Sequence, residues 1–186
     1  MDITETLYVP TRAAWRAWLA AHHAEASEIW LVWYRVHTGR PSVPYNDAVE
    51  EALCFGWIDS VRKGLDDERY AQRYTPRRAG SAYSQLNQER LARLLSAGQV
   101  HPSVAAGLGE VRPEAFEIPE DIRAALEARP GAWAFFASAS PAYQRIRAAY
   151  VDQARGRPDV FEKRLAHLVE ASARGRRFGY GIEAYY

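Results

Sequence analysis

The chain has 186 residues, a formal net charge of +1, 48% apolar and 25% charged residues. That length supports one ordinary domain or two small ones with a real core, and the balance of charge and apolar content excludes intrinsic disorder. Near-neutral charge argues against a dedicated nucleic-acid protein, and no apolar stretch approaches the roughly 20 residues of a membrane helix.

Thr11 reads as the N-cap of a first helix carrying Trp15, Trp18, Leu19 and His22 at helical spacing and ending near Ala26. Glu28–Val36 is rich in β-branched and aromatic residues and nearly continuously apolar, as suits a strand covered on both faces. His37–Pro41 breaks it. A second helix opens at Asn46 or Asp47, with Val49, Ala52 and Leu53 as its apolar positions and Gly56 near its end. Residues 58–63 and 68–75 read as an antiparallel hairpin, because Tyr70, Gln72 and Tyr74 alternate with Arg69, Ala71 and Arg73. Ser81 reads as the N-cap of a third helix that runs to about Ala97 and is closed by Gly98. Residues 99–118 read as a short helix plus a connector. Beyond them the pattern is helical, with Pro119, Pro130, Pro141 and Pro158 in first turns and Ser140 and Asp159 as caps. The expected fold class is α+β. A helix-rich domain with a small antiparallel sheet spans 1–112, an all-helical domain spans 113–178, and an aromatic tail spans 179–186.

Lys63 and Lys163 are the only lysines among 24 basic residues. This Arg bias matches coding bias, so only the placement of particular arginines carries weight. His22, His23, His37, His101 and His167 do not form a zinc-ligand spacing, no phosphate-cradling glycine loop is present, and no cofactor is expected. Cys54, the single cysteine, lies between Leu53 and Phe55 and reads as a small buried hydrophobe. One cysteine excludes an internal disulfide and fits a reducing compartment, and Met1–Glu5 lacks the basic and apolar regions of a secretory leader, so the expected location is cytoplasmic.

The sharpest signal lies on the third helix. Its apolar stripe holds Tyr83, Leu91, Leu94 and Leu95, yet Ser84, Asn87 and Arg90 form an i, i+3, i+6 polar row through that stripe. Buried polar groups need partners, and an unpaired one costs about 1–3 kcal/mol. Asp59, Arg73, Arg77 and Arg78 lie just upstream. Two arginines beside a helix start at Ser81 make an anion site, since free N–H groups and the helix dipole act with the guanidinium forks. The alternative is an internal network in which Asp59 pairs with Arg73 or Arg90. Trp30, Trp33, Tyr34, Tyr70 and Tyr74 could instead form a stacking platform for single-stranded nucleic acid, although a basic hairpin over core aromatics reads the same way.

Several words then become familiar. Ala48–Asp59, Leu65-Asp66-Asp67, Gln72–Arg78, and Ser81, Asn87 and Arg90 resemble the bacterial YdeI/OmpD-associated, or bacteriocin-protection, family. The resemblance reaches back through Trp30-Leu31 and Gly39–Ser42 and forward through Ala134–Phe136, Pro141–Tyr143 and Gly175–Arg177, covering most of residues 10–178. It implies links to envelope stress tolerance, bacteriocin resistance and a porin, and it brings no established catalytic residue or cofactor.

The combined expectation is a cytoplasmic protein that binds a small anionic ligand or a partner protein through Asp59, Arg73, Arg77, Arg78, Ser81, Ser84, Asn87 and Arg90. A second reading is an enzyme on a small anionic substrate, with Asp59 as acid/base, Arg73, Arg77 and Arg90 as anchors and Asn87 as orienter. A nucleic-acid-binding module is a third. No metal and no membrane insertion enter any of them.

Overall fold

A computed structural model describes residues 2–179, and these fall into two compact units. One unit comprises the chain through Ala82 together with Arg90–Glu110; the other comprises Tyr83–Glu89 and the chain from Val111 onward. Except for Gly179, the aromatic tail lies outside the described residues.

The first unit is built on a four-stranded sheet of order β1-β2-β4-β3, from β1 (Thr6–Tyr8), β2 (Ile29–Tyr34), β3 (Trp57–Gly64) and β4 (Arg69–Pro76). The hairpin β3–β4 and the pair β2–β4 are antiparallel, but β1 runs parallel to β2, with Leu7 opposite Leu31. The sheet is therefore mixed rather than antiparallel. The three residues of β1 are too few to show a period of two, so the sequence pattern does not reveal this strand. β2 is buried on both faces through Trp33, as its unbroken apolar run requires.

Two helices pack on this sheet, α1 (Arg12–His22) and α2 (Tyr45–Cys54). Thr11 caps α1 by accepting the Ala14 N–H at 3.2 Å, and the helix stops at His22, before Ala26. α2 starts at Tyr45, one residue earlier than expected, because Pro44 stands at its N-cap position. Trp15 is fully buried, with its ring edge-on to Tyr74 and its indole N–H donated to the Ala48 carbonyl. Gly56, at φ +73°, makes the left-handed exit from α2 into β3; its missing side chain faces Val104 of the short helix α4 (Pro102–Gly107).

α3 (Gln85–Ser96) gives its residues through Glu89 to the second unit and the remainder to the first. It begins four residues after Ser81. Ser81 instead closes a turn, its hydroxyl donating to the Arg78 carbonyl at 2.8 Å, and Ser84 caps α3 by accepting the Asn87 N–H.

The second unit adds α5 (Glu120–Glu127), α6 (Ala132–Ser138), α7 (Pro141–Asp152) and α8 (Pro158–Ala173) around Ile122, Leu126, Phe136, Tyr143 and Leu168. Pro141 and Pro158 occupy first turns, and Ser140 caps α7. Pro119 is instead the cap residue of α5, Pro130 precedes the left-handed Gly131 cap of α6, and Asp159 lies within α8, which Arg157 caps. Among the described residues no helix is long and apolar enough to cross a membrane.

Candidate functional site

The expected constellation separates into distinct neighbourhoods. Adjacent residues on β4 point to opposite faces of the sheet, so Arg73 and Tyr74 diverge. Arg73 pairs with Glu28, to which its Nε donates at 2.6 Å, opposite Trp30 in the ladder. Of the two pairings in the alternative internal network, Asp59 with Arg73 is not formed. The Thr4 hydroxyl and Arg73 together hold the Glu28 carboxyl below its usual range.

Arg77 is engaged in the turn, where its Nη2 donates to the Ser81 carbonyl and hydroxyl and to the Ala82 carbonyl at 3.0–3.1 Å. Arg78 is exposed and lends that turn its carbonyl. The Arg-flanked helix start drawn at Ser81 is thus a loop clamp. Ser84 and Asn87 belong to the second unit, Asn87 half-buried, whereas Arg90 belongs to the first and is buried.

Asp59 is the residue around which a site assembles. It faces the helices from β3, beside a bulge between Asp59 and Arg62, and stands directly across the ladder from Tyr74. One oxygen, Oδ2, accepts both the Tyr45 hydroxyl at 2.8 Å and the Gln72 Nε2 at 2.6 Å. Oδ1 makes no hydrogen bond among the described residues. Arg90 donates to Asn46 Oδ1 at 2.7 Å, and its charge lies close enough to oppose the upward shift of both Tyr45 and Tyr74.

Tyr74 is fully buried between Trp15 and Trp33, and its hydroxyl has no hydrogen-bond partner among the described residues. Burial and then the Asp59 charge push this phenol well above its ordinary value, so it remains a proton donor. Along the same face, Trp33 stacks on Tyr70 with centroids 5.7 Å apart, and the Arg62 guanidinium lies 4.2 Å over Tyr70. The cluster therefore offers an open carboxylate oxygen, a buried donor and two cationic neighbours. Tyr45 and Gln72 were not among the candidate site residues in the sequence, and Tyr74 entered only as a stacking residue; a Gln in the apolar alternation of β4 is the signal that could have grouped them with Asp59.

A second polar cluster went unremarked in the sequence. Glu50 and Glu51 are buried on α2 and are met by arginines from two other helices. Arg12 bonds Glu51 at 2.5 Å and Asp47 and Glu50 at 3.1 Å, Arg16 bonds Glu51 at 2.6 Å, and Arg93 pairs with Glu50. Cys54 lies beside this network, fully buried; burial and then Glu51 raise its thiol to about 11, which leaves it unreactive at neutral pH. No three His, Cys, Asp or Glu side chains among the described residues gather as a metal site.

Two family models match the chain: Domain of unknown function (DUF8412) over residues 7–107, and Bacteriocin-protection, YdeI or OmpD-Associated over residues 115–175. No curated protein and no solved structure matches. The words Ala48–Asp59 and Gln72–Arg78, which carried the resemblance in the sequence, fall under the first model, whereas the bacteriocin-protection model covers the helical half. The first model spans more than half of the sequence, so the chain belongs to the DUF8412 family and carries in its helical half the YdeI/OmpD-associated region.

Proposed function

We propose that the protein binds a small polar molecule bearing an anionic group at the Asp59–Tyr74 cluster. The observation that carries this reading is the Tyr74 hydroxyl, buried and without a partner among the described residues, across the ladder from a carboxylate with one open oxygen. An unsatisfied buried hydroxyl costs about 1–3 kcal/mol, a penalty that a ligand acceptor removes. Tyr74 donates to the ligand, Asp59 Oδ1 takes a ligand N–H or O–H, and Arg62 and Arg90 favour the anionic end. Tyr45, half exposed with its hydroxyl on Asp59, is the side chain that moves to admit the ligand. The binding occurs in a reducing, cytoplasmic compartment, a reading supported by the lone buried thiol of Cys54. The context suggested by the matched family description is protection against bacteriocins.

The open oxygen of Asp59 also favours a second reading, in which that carboxylate moves a proton on a bound substrate. Thermal melting with millimolar succinate, glutamate or inorganic phosphate tests binding. A native-state ligand at hundredfold excess over its Kd adds about 2.7 kcal/mol. The expected result is a raised Tm that is lost in both Tyr74→Phe and Asp59→Asn. An equal rise in the parent and both variants contradicts the assignment.

A further inference from the structure

Two sets of basic side chains stand apart in the second unit. Arg123, Arg129, Arg145, Arg155 and Arg174 each pair with a carboxylate. Lys163, Arg164, Arg176 and Arg177 have no carboxylate partner among the described residues, and they line one continuous surface. A depression of about 320 Å³ holds Lys163, Arg164, His167, Tyr150 and Phe178. It shares His167 and Phe178 with a neighbouring depression of about 410 Å³ that holds Arg176 and Arg177. Among the described residues no acidic side chain lines either one.

Aromatic rings run along the same surface. The Arg164 guanidinium lies 3.8 Å over the Tyr150 ring and donates to the Tyr150 carbonyl at 2.6 Å, which fixes it beside the ring. His167 stands 4.6 Å from Phe178, which meets Tyr150 edge-on at 5.8 Å. Uncompensated cations beside ring and guanidinium planes are what phosphates and unstacked bases require.

We propose that this face of the second unit binds single-stranded nucleic acid, with bases stacking on the Arg164–Tyr150 platform and phosphates meeting the charges of Lys163, Arg164, Arg176 and Arg177. The near-neutral charge of the whole chain does not oppose this, because it averages over the paired arginines. An anionic membrane is less well served. Tyr150 is the one large apolar side chain of this unit that is exposed among the described residues, and the rings line depressions rather than protrude.

The test is fluorescence anisotropy of a labelled oligothymidylate of about ten nucleotides with the full chain. Four phosphate contacts predict a slope of log affinity against log salt near −3, or about a 50-fold loss between about 50 and about 200 mM salt. The double variant Lys163→Gln/Arg164→Gln should roughly halve that slope. Arg164→Lys keeps the charge and loses the plane, so it should preserve the slope while weakening binding severalfold. Lys163 is exposed and Arg164 makes no ion pair, and circular dichroism checks that each variant is folded. The proposal is overturned by no binding at low salt, by variants that bind like the parent, or by capture on phosphatidylserine vesicles without oligonucleotide binding.

Discussion

Two polar clusters of the first unit draw on the same helix, α2, and they are finished differently. In the middle of α2, Glu50 and Glu51 are buried and every carboxylate meets an arginine. At its start, Tyr45 and Asn46 reach towards Asp59 and Arg90, and there a buried tyrosine hydroxyl and one carboxylate oxygen are left over among the described residues. A closed network of charges stabilises mainly by punishing the loss of any member, and it has no valence left for a ligand. A cluster with leftover donors and acceptors carries a cost in the free protein that only a ligand can refund. Burial of charge alone does not mark a site, since the more deeply charged cluster is the scaffold.

This contrast predicts opposite responses to substitution. Arg12→Ala removes the common partner of Asp47, Glu50 and Glu51, leaves buried carboxylates undercompensated, and should lower stability by about 3–5 kcal/mol in urea unfolding. A loss below about 1 kcal/mol would falsify the description of this cluster as a closed scaffold. α3 supplies Arg90 to one cluster and Arg93 to the other, so its start matters to both. Ser84→Ala should cost about 1 kcal/mol as a lost N-cap, whereas Ser81→Ala, at an exposed turn, should stay within about 0.5 kcal/mol. The reverse ranking would return the helix start to Ser81.

The effect confined to high pH concerns Cys54. Its folded-state thiol is raised to about 11, so the neutral form is held in the native state while the unfolded chain ionises earlier. The resulting stabilisation is complete below the unfolded value and is lost as pH rises from about 9 towards 11. Thiol titration near pH 8 should be slow and should accelerate with denaturant. Rapid labelling of the native protein would show an accessible thiolate and open the charged network beside it.

Much of the fold was legible because it rests on local chemistry. The Thr11 and Ser140 caps, the doubly buried β2 and the β3–β4 hairpin each show as a capping residue or a period of two. β1 did not, because its pairing with β2 is parallel and its three residues hold no pattern. Asp59 was visible as the polar residue leaving α2, and Arg90 as a polar interruption of an apolar stripe. Their grouping with Tyr45, Gln72 and Tyr74 was not, since these meet Asp59 only through the sheet register and the angle of α2. The sequence pattern placed the cap of α3 at Ser81, whereas Ser84 holds it. What separates them is the turn made by Arg77 and Arg78, in which Ser81 is already engaged.

The central claim is that the Tyr74 hydroxyl is kept for a ligand at the expense of the free protein, and Tyr74→Phe measured by urea unfolding without ligand tests it most directly. Removing an unpaired buried hydroxyl while keeping the ring should leave the packing against Trp15 and Trp33 in place and raise stability by about 1 kcal/mol. On a chain of this size that corresponds to an increase of about 2–4 °C in Tm. A loss of about 1 kcal/mol or more would show that the hydroxyl already holds an internal bond, and would contradict the account.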